Sequence, residues 1–234
     1  MGFLKSNHKS TNNMTKKQKI QSIVNCFETG SAEGDYGNVS IFNDGPNGIK
    51  QLTYGKSQST SSGVLGDLFK KYVNAGGKYA KEISRCLNWS KTSRLWVTDK
   101  EFIAAIKKAG SDPIMVKCQD EFFDEKYWNP AMKWAENNGF IENLSKLVIY
   151  DSFIHSGGIL SFLRKRFPAK TPKDGGDEKT WIIQYLDARH QWLKFHSNKI
   201  LRNTIYRTND MKRAVAANDW NLDLTFVANG VKVP

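Results

Sequence analysis

The sequence is short of cysteine and has no long apolar run, and each shortage excludes a class of protein. Of its 234 residues only three are cysteines, Cys26, Cys86 and Cys118, whose wide spacings match neither a zinc motif nor a disulfide framework. No apolar stretch approaches the roughly 20 residues that a membrane-spanning helix needs. The four histidines are scattered, and the chain has neither a P-loop nor a dinucleotide fingerprint. We therefore expect no metal site and no nucleotide cofactor.

Acidic residues are also scarce. The chain has 23 Asp and Glu against 35 Lys and Arg, which gives a formal net charge of +12. Such a charge favours contact with an anionic partner, for example nucleic acid, a membrane face or a cell-wall polymer. The basic residues are spread along the chain, however, without a basic tail or an aromatic-basic repeat. This pattern is typical of a dispersed positive surface, so we expect no nucleic-acid partner and no membrane partner. We also expect the protein to be a monomer.

Apolar residues at helical spacing predict a mainly helical chain. Thr15 and Gln18 form a capping-box pattern ahead of Ile20, so the first helix is expected over 15–29, with Gly30 ending it. Further helices are expected after Gly63, after Asp99, over 114–127, near Pro130, over 141–156, over 178–195 and over 203–217.

One segment near the start of the chain has the pattern of a hairpin. Val39 and Ile41 alternate with their neighbours, and Asp-Gly-Pro-Asn-Gly follows as a strong turn. IKQLTYG can form the returning strand, so we predict a small antiparallel hairpin or sheet here. The tail LTFVANGVKV is expected to be extended.

Two charged residues lie where helical spacing asks for apolar ones. Asp151 follows Leu147 by four residues and Val148 by three, on the inner face of its helix. Arg189 lies on the inner face that Leu186 helps to define. A buried charge is costly unless it is paired, so we predict that Asp151 and Arg189 meet. The alternative is that either side chain reaches solvent at the edge of its face.

The stretch FETGSAEGDYGNVSIFNDG, residues 27–45, gathers four acids and four glycines in a basic protein. Glu28 ends the first predicted helix, where partial burial and the helix dipole both disfavour a charged carboxylate, as suits a proton donor. Asp44 ends the predicted strand in a polar turn, as suits a base. A helix end that faces a strand end across a groove is how glycosidases place two carboxylates. The alternative is a solvated loop, and Glu33 and Asp35 are expected to be structural or rim residues.

Four segments, spread in order over most of the chain, carry a shared pattern. FETGSAEGDYGNVSIFNDG has a Phe-Glu-x-Gly start, a Tyr-Gly centre and an Asp-Gly end. The others are YWNPAMKWAENNGF, VIYDSFIHSGG and PKDGGDEKTWIIQYLDARHQWL. Together these segments resemble the chitosanases of glycoside hydrolase family 46.

The resemblance implies a mainly α (α+β) protein: a lysozyme-like, two-lobed helical fold with a small antiparallel sheet in the first lobe and a substrate cleft between the lobes. Residues 1–14 would form a flexible leader, and residues 15–234 a single catalytic domain of two lobes. The implied activity is that of an inverting endo-glycoside hydrolase, which cleaves β-1,4 bonds of amino-sugar polymers, chitosan above all. The implied mechanism needs no metal and no other cofactor.

The resemblance also assigns roles to individual residues. Glu28 falls on the family's general acid and Asp44 on the base that activates water. Thr53 would help to position that water, although the turn GPNGIKQL that precedes it is longer than in the family.

A second group of residues would support or contact the substrate. The supporting charge network behind the acid comprises Asp151, Arg189 and Arg207. Tyr36 and Asp67 are expected to bind substrate. Secreted family members carry an Asp that contacts a glucosamine ammonium group, and here Val64 stands at that place, with Asp67 three residues later.

This difference and the positive charge leave other functions open. The same chemistry could act on peptidoglycan, as a lysozyme-like phage lysin or a secreted antibacterial effector. A protein of another class, a non-catalytic glycan-binding module, is the further alternative. The chain shows no secretory signal, so we expect synthesis in the cytoplasm and action outside the cell or at the cell wall.

Overall fold

The computed structural model describes residues 14–56 and 58–234, so the predicted leader lies outside the described residues except for Met14. The α-helices in this part are α1 (Lys16–Thr29), α2 (Leu65–Asn74), α3 (Ala80–Ile83), α4 (Leu95–Thr98), α5 (Lys100–Ala109), α6 (Pro113–Phe123), α7 (Asn129–Asn137), α8 (Asn143–Ser156), α9 (Ser161–Arg164), α10 (Glu178–Lys194), α11 (Lys199–Arg202) and α12 (Tyr206–Ala216).

The strands form two small antiparallel sheets. They are β1 (Val39–Phe42), β2 (Gln51–Tyr54), β3 (Ser59–Thr60), β4 (Phe226–Ala228) and β5 (Val231–Val233). The first sheet has the order β1-β2-β3, and β4 pairs with β5 in the second. The predicted hairpin is confirmed: Phe42 pairs with Gln51, and a short helical turn, Pro46–Gly48, lies between β1 and β2. The extended tail is confirmed as the β4–β5 hairpin.

Local chemistry fixes both ends of α1. The Thr15 side chain accepts from the Gln18 backbone N–H, and the Gln18 side chain accepts from the Thr15 backbone N–H, which completes the predicted capping box. At the other end Gly30 adopts a left-handed conformation, φ 73°, which favours glycine. Glu28 therefore lies in the last turn of a helix whose end is well defined.

The buried apolar side chains form two clusters. One joins α1, α7, α8, α10 and α12 with the β4–β5 hairpin, and the other joins β2 with α2, α5 and α6. These clusters are the cores of the two lobes, and the first sheet belongs to the lobe of α2, α5 and α6. The three cysteines are buried and free, in keeping with their sequence spacing.

The structure adds elements that periodicity did not reveal. Helices α3, α4, α9 and α11 each span four residues, too few for an apolar pattern to repeat. The predicted helix over 114–127 instead ends at Phe123 and continues through a π-helical turn, Asp124–Trp128, into α7. The result is one nearly continuous helical rod that begins in one core and ends in the other.

Gly110, directly after α5, lets the stretch 27–45 pack closely against the end of this helix. A Cβ atom on Gly110 would lie 2.3 Å from the Gly37 Cα and 2.4 Å from its N. We expect Gly110→Ala to lower the free energy of unfolding by about 1–3 kcal/mol, since backbone atoms would have to move apart. Urea titration measures the change.

Gly66 in α2 is the matched control for this substitution. No atom lies within 4 Å of a Cβ placed there, and its helical backbone accepts alanine. Gly66→Ala should leave the free energy of unfolding unchanged or raise it by up to about 1 kcal/mol. Equal destabilisation by both substitutions would contradict the close-approach explanation.

Candidate active site

Glu28 lies half-buried at the end of α1 and contacts an arginine from the far end of the chain. Its Oε1 accepts a hydrogen bond of 2.6 Å from Arg207 Nη2. Tyr206 and Arg207 also donate to the Phe27 carbonyl, at 2.7 Å and 3.3 Å. Among residues 14–56 and 58–234 no hydrogen bond reaches Glu28 Oε2. One carboxylate oxygen is therefore held by protein while the other is free to face a ligand.

Behind Glu28 lies a buried network of charged side chains. Asp151 on α8 accepts from Arg207 Nη1 at 2.7 Å and from Arg189 Nη1 at 2.6 Å. The contact between Asp151 and Arg189 that the helix faces predict is thus present, and both side chains are fully buried. Four helices contribute to the series: α1 (Glu28), α12 (Arg207), α8 (Asp151) and α10 (Arg189).

The environment of this buried charge network shifts the pKa values of two residues. Burial alone would raise the pKa of Asp151, but Arg189 and Arg207 outweigh it and hold that pKa at about 2. His155 lies one helical turn after Asp151, and burial together with Arg207 and Arg189 lowers its pKa to about 3. Asp151 is therefore charged and His155 neutral at ordinary pH. The sequence analysis missed His155, although its spacing of four residues from Asp151 indicates the same helix face.

Asp44 lies exposed in the turn that follows β1, two residues after the strand ends, in the other lobe. Its Oδ1 accepts a 3.0 Å hydrogen bond from Gln51 Nε2, and Gln51 Oε1 in turn accepts from the Ser62 hydroxyl. Gln51 is buried, so it holds one carboxylate oxygen in a fixed place. Sequence patterns did not single out Gln51, because the predicted hairpin had no defined register and its pairing with Phe42 is visible only in the structure.

Thr53 lies on β2 between two other strands. It pairs with Ser40 on β1 and Thr60 on β3, and it is buried. Its hydroxyl donates to the Ser40 carbonyl at 3.3 Å. No hydrogen bond joins Thr53 to Asp44 in the part of the chain that the structure describes. The role of Thr53 in positioning water stays a prediction.

The two expected substrate contacts lie in different places. The Tyr36 hydroxyl donates to Asp120 at 2.9 Å and accepts from Lys56 at 3.3 Å. Burial raises the pKa of Tyr36, and the hydrogen bond to Asp120 raises it further. Asp67 is exposed in the first turn of α2, in a pocket of about 320 Å³ that also includes Trp89. No hydrogen bond among the described residues links either side chain to Glu28 or Asp44, and both roles stay predictions.

Two further properties concern the described residues as a whole. No group of three or more His, Cys, Asp and Glu side chains among them is arranged to hold a metal ion. None of their helices has both the length and the apolar content to cross a membrane.

Comparison with known proteins identifies the relatives of this arrangement. The family model described as "Glycosyl hydrolase family 46" matches residues 22–226. A chitosanase of Bacillus subtilis (strain 168) is 29% identical over 236 residues, which cover 90% of this chain and 80% of the relative. The expected lysozyme-like, two-lobed fold is confirmed by comparison with solved structures.

Two solved structures illustrate the similarity in fold. A mutant chitosanase from Bacillus subtilis MY002, solved with 6 GlcN, superposes with a TM-score of 0.78 at 26% identity, covering 95% of this chain and 99% of that one. A chitosanase of Gynuella sunshinyii, solved with chitotetraose, has a TM-score of 0.77 at 19% identity, covering 93% and 96%.

The buried charge network leads to a prediction about stability. Asp151→Asn leaves Arg189 buried without an anion, and we expect the free energy of unfolding at neutral pH to fall by about 3–5 kcal/mol. Because the folded pKa of Asp151 is depressed to about 2, its contribution is complete above about pH 5 and is lost as the pH falls through 2. The difference between wild type and variant should therefore shrink by about 2 kcal/mol between pH 5 and pH 2. Urea titrations between pH 7 and pH 2 measure it.

Asp187 provides the matched control on the same helix as Arg189. It pairs with Lys212 at 2.5 Å, but its side chain is 57% exposed. Asp187→Asn should cost less than about 1 kcal/mol, as exposed ion pairs do. A loss of similar size in the free energy of unfolding for both variants would contradict the buried-network explanation. So would a loss for Asp151→Asn that does not change below pH 4.

Proposed function

The chain belongs to glycosyl hydrolase family 46, and on that premise we propose that it is an inverting endo-hydrolase that cleaves the β-1,4 bonds of chitosan. The family match carries this proposal, since residues 22–226 include both carboxylates and the whole charge network behind Glu28. Neither the peptidoglycan alternative nor the non-catalytic module is favoured.

In this proposal Glu28 is the general acid. Arg207 holds Oε1, so the carboxyl group has one orientation, and Oε2 is the oxygen that carries the proton to the glycosidic oxygen. Arg207 is itself held by Asp151, which limits its movement as Glu28 gains and loses a proton. The other carboxylate, Asp44, takes a proton from water as that water attacks the anomeric carbon from the opposite face. The product then has the inverted configuration.

Asp44 suits this role because it is exposed and only one of its oxygens is engaged. Gln51 fixes Oδ1 and leaves Oδ2 to accept the proton of the attacking water. Thr53, nine positions along the chain on β2, is proposed to help orient that water. Inverting enzymes leave room for the water by separating their carboxyl groups by roughly 6.5–9.5 Å.

The distribution of charge supports a polycationic substrate. Residues 20–49 contain four acids, Glu28, Glu33, Asp35 and Asp44, but no Lys or Arg. This stretch is a local exception in a chain of net charge +12, and it contains both proposed catalytic carboxylates. Amino groups of glucosamine units would be attracted to it, and Asp67 is a further proposed contact for such a group.

The proposal also includes the oligomeric state of the active protein and the place where it acts. One copy of the chain contains both proposed catalytic carboxylates, so we propose that a monomer is active. We place its action outside the cell or at the cell wall, where polymeric substrates of this kind are met.

Replacement of either carboxylate tests the proposal. Glu28→Gln and Asp44→Asn should each lower kcat on chitosan by about 10²–10⁴-fold, since each removes a proton-transfer group. Glu33→Gln, an exposed acid on the connecting loop, is the matched control and should retain activity. The reducing ends first released should have the α configuration by NMR. Unchanged turnover in Glu28→Gln would refute the acid assignment, and release of reducing ends only from purified sacculi would refute chitosan as the substrate.

The hydrogen bond from Gln51 gives a second test of the base. Gln51→Met keeps the approximate size but frees Asp44 Oδ1, so we expect kcat to fall about tenfold with KM unchanged, as for one lost hydrogen bond to a charged group. Gln21→Met is the matched control: Gln21 also donates to an aspartate, Asp124, at 2.9 Å, but on α1 away from Asp44. Equal losses of kcat in both variants would argue against a positioning role for Gln51.

A further inference from the structure

Two long segments in the C-terminal half of the chain contain no acidic residue. Residues 152–173 include five Lys and Arg, and residues 188–209 include five more, with no Asp or Glu in either range. They are separated in sequence, and the acids between them are Asp174, Asp177, Glu178 and Asp187.

The fold brings the two segments together. Phe162 on α9 packs edge-on against Trp192 near the end of α10, with 5.8 Å between ring centroids. Trp192 in turn packs against His196 at 5.3 Å. The Arg166 guanidinium lies over the Phe162 ring at 5.3 Å. The turn after α9 and the turn between α10 and α11 therefore lie side by side.

Some of the cations here hold these turns in shape. Arg164 donates to the carbonyl groups of Phe167 and Ala169, at 2.9 Å and 2.8 Å. Arg202 donates to the carbonyl groups of His196 and Ser197, at 2.6 Å and 2.8 Å. These hydrogen bonds therefore hold both turns in a defined conformation.

Other cations face outwards without an acidic partner. Lys165, Arg166, Lys194 and Lys199 are exposed, and none of them forms an ion pair within residues 14–56 and 58–234. Between them lie exposed apolar side chains: Phe195 is 73% exposed, Ile200 63% and Phe162 42%. We define these seven residues as the basic apolar surface.

We propose that the basic apolar surface docks the protein on an anionic lipid bilayer. Lysine and arginine side chains are attracted to anionic headgroups, and large apolar side chains enter the boundary between headgroups and acyl chains. The sequence predicted no membrane partner because its basic residues look dispersed. The packing of Phe162 against Trp192 brings the two acid-free segments together into one surface.

The apolar members favour a lipid surface over a soluble polyanion. A phosphate polymer would be bound by the cations alone and would leave Phe195 and Ile200 in water. Ile200 has no ring to stack on a base or a sugar, and one face of Phe162 is covered by Arg166. Chitosan is excluded as the occupant, because its amino groups carry the same charge as Lys165 and Lys194.

The position of this surface links docking to the proposed site. α11 continues through the turn Asn203–Ile205 into α12, whose first residues, Tyr206 and Arg207, contact Phe27 and Glu28. A docked protein would therefore hold its cleft close to the bilayer, although docking itself does not depend on the hydrolase activity.

Sedimentation with vesicles tests the proposal. Vesicles of phosphatidylcholine with phosphatidylglycerol should bind the full chain, and vesicles of phosphatidylcholine alone should not. Lys165→Glu with Arg166→Glu should weaken binding by at least about fivefold per cation. Phe195→Ser with Ile200→Ser should weaken it by about tenfold or more, since two apolar side chains lose their burial.

Matched controls carry the same changes elsewhere on the surface. Lys81→Glu with Lys100→Glu reverses two exposed lysines of the other lobe, and Ile141→Ser removes a side chain that is 74% exposed. Both should bind anionic vesicles almost as the wild type does. All variants should cleave soluble glucosamine oligomers normally, which shows that they fold.

Three outcomes would overturn the proposal. Absence of binding to anionic vesicles refutes it directly. Equal weakening by Lys81→Glu with Lys100→Glu would show that net charge alone drives binding. Full binding by Phe195→Ser with Ile200→Ser, together with displacement by inorganic polyphosphate, would identify a polyanion site and not a lipid surface.

Discussion

The buried carboxylate of Asp151 is the point on which the helical lobe and the proposed acid both depend. Arginines from α10 and α12 reach it from two sides, and all three charges are removed from water. Any shift of one helix would leave a buried charge without its partner, which costs several kcal/mol. Since Arg207 also holds Glu28 and the Phe27 carbonyl, the end of α1 is fixed by the same contacts. The interaction that orders the helices thus also orients the carboxyl group of the proposed acid.

The two proposed catalytic carboxylates belong to different cores, so their separation depends on how the lobes lie relative to one another. Glu28 lies in the last turn of a helix of one core, and Asp44 lies two residues after β1, whose sheet is attached to the other. The helical rod of α6, the π-helical turn Asp124–Trp128 and α7 joins these cores. π-Helical turns in α-helices are frequent at functional sites. A movement of the lobes towards each other has to be accommodated in this rod, and the turn is its irregular point.

Much of this arrangement follows from sequence, and the missing parts have identifiable causes. The capping box at Thr15, the turn after Asp44 and the pairing of Asp151 with Arg189 each depend on local spacing or on the cost of one buried charge, and the sequence predicts them. Gln51 was missed because a polar residue in a strand shows nothing of the cross-strand neighbour that it contacts. The short helices and the π-helical turn depend on tertiary packing, which periodicity does not record.

The positive charge of the chain and a polycationic substrate are compatible because the charges are separated in space. The stretch 20–49 has acids and no cations, while the exposed cations Lys165, Arg166, Lys194 and Lys199 lie on the basic apolar surface. A polymer of protonated amines would be attracted by the stretch 20–49 and repelled by that surface. Such a field orients the polymer before contact and weakens as salt screens it. The net charge of +12 therefore says little about the ligand that the cleft accepts, because it does not show where the charges lie.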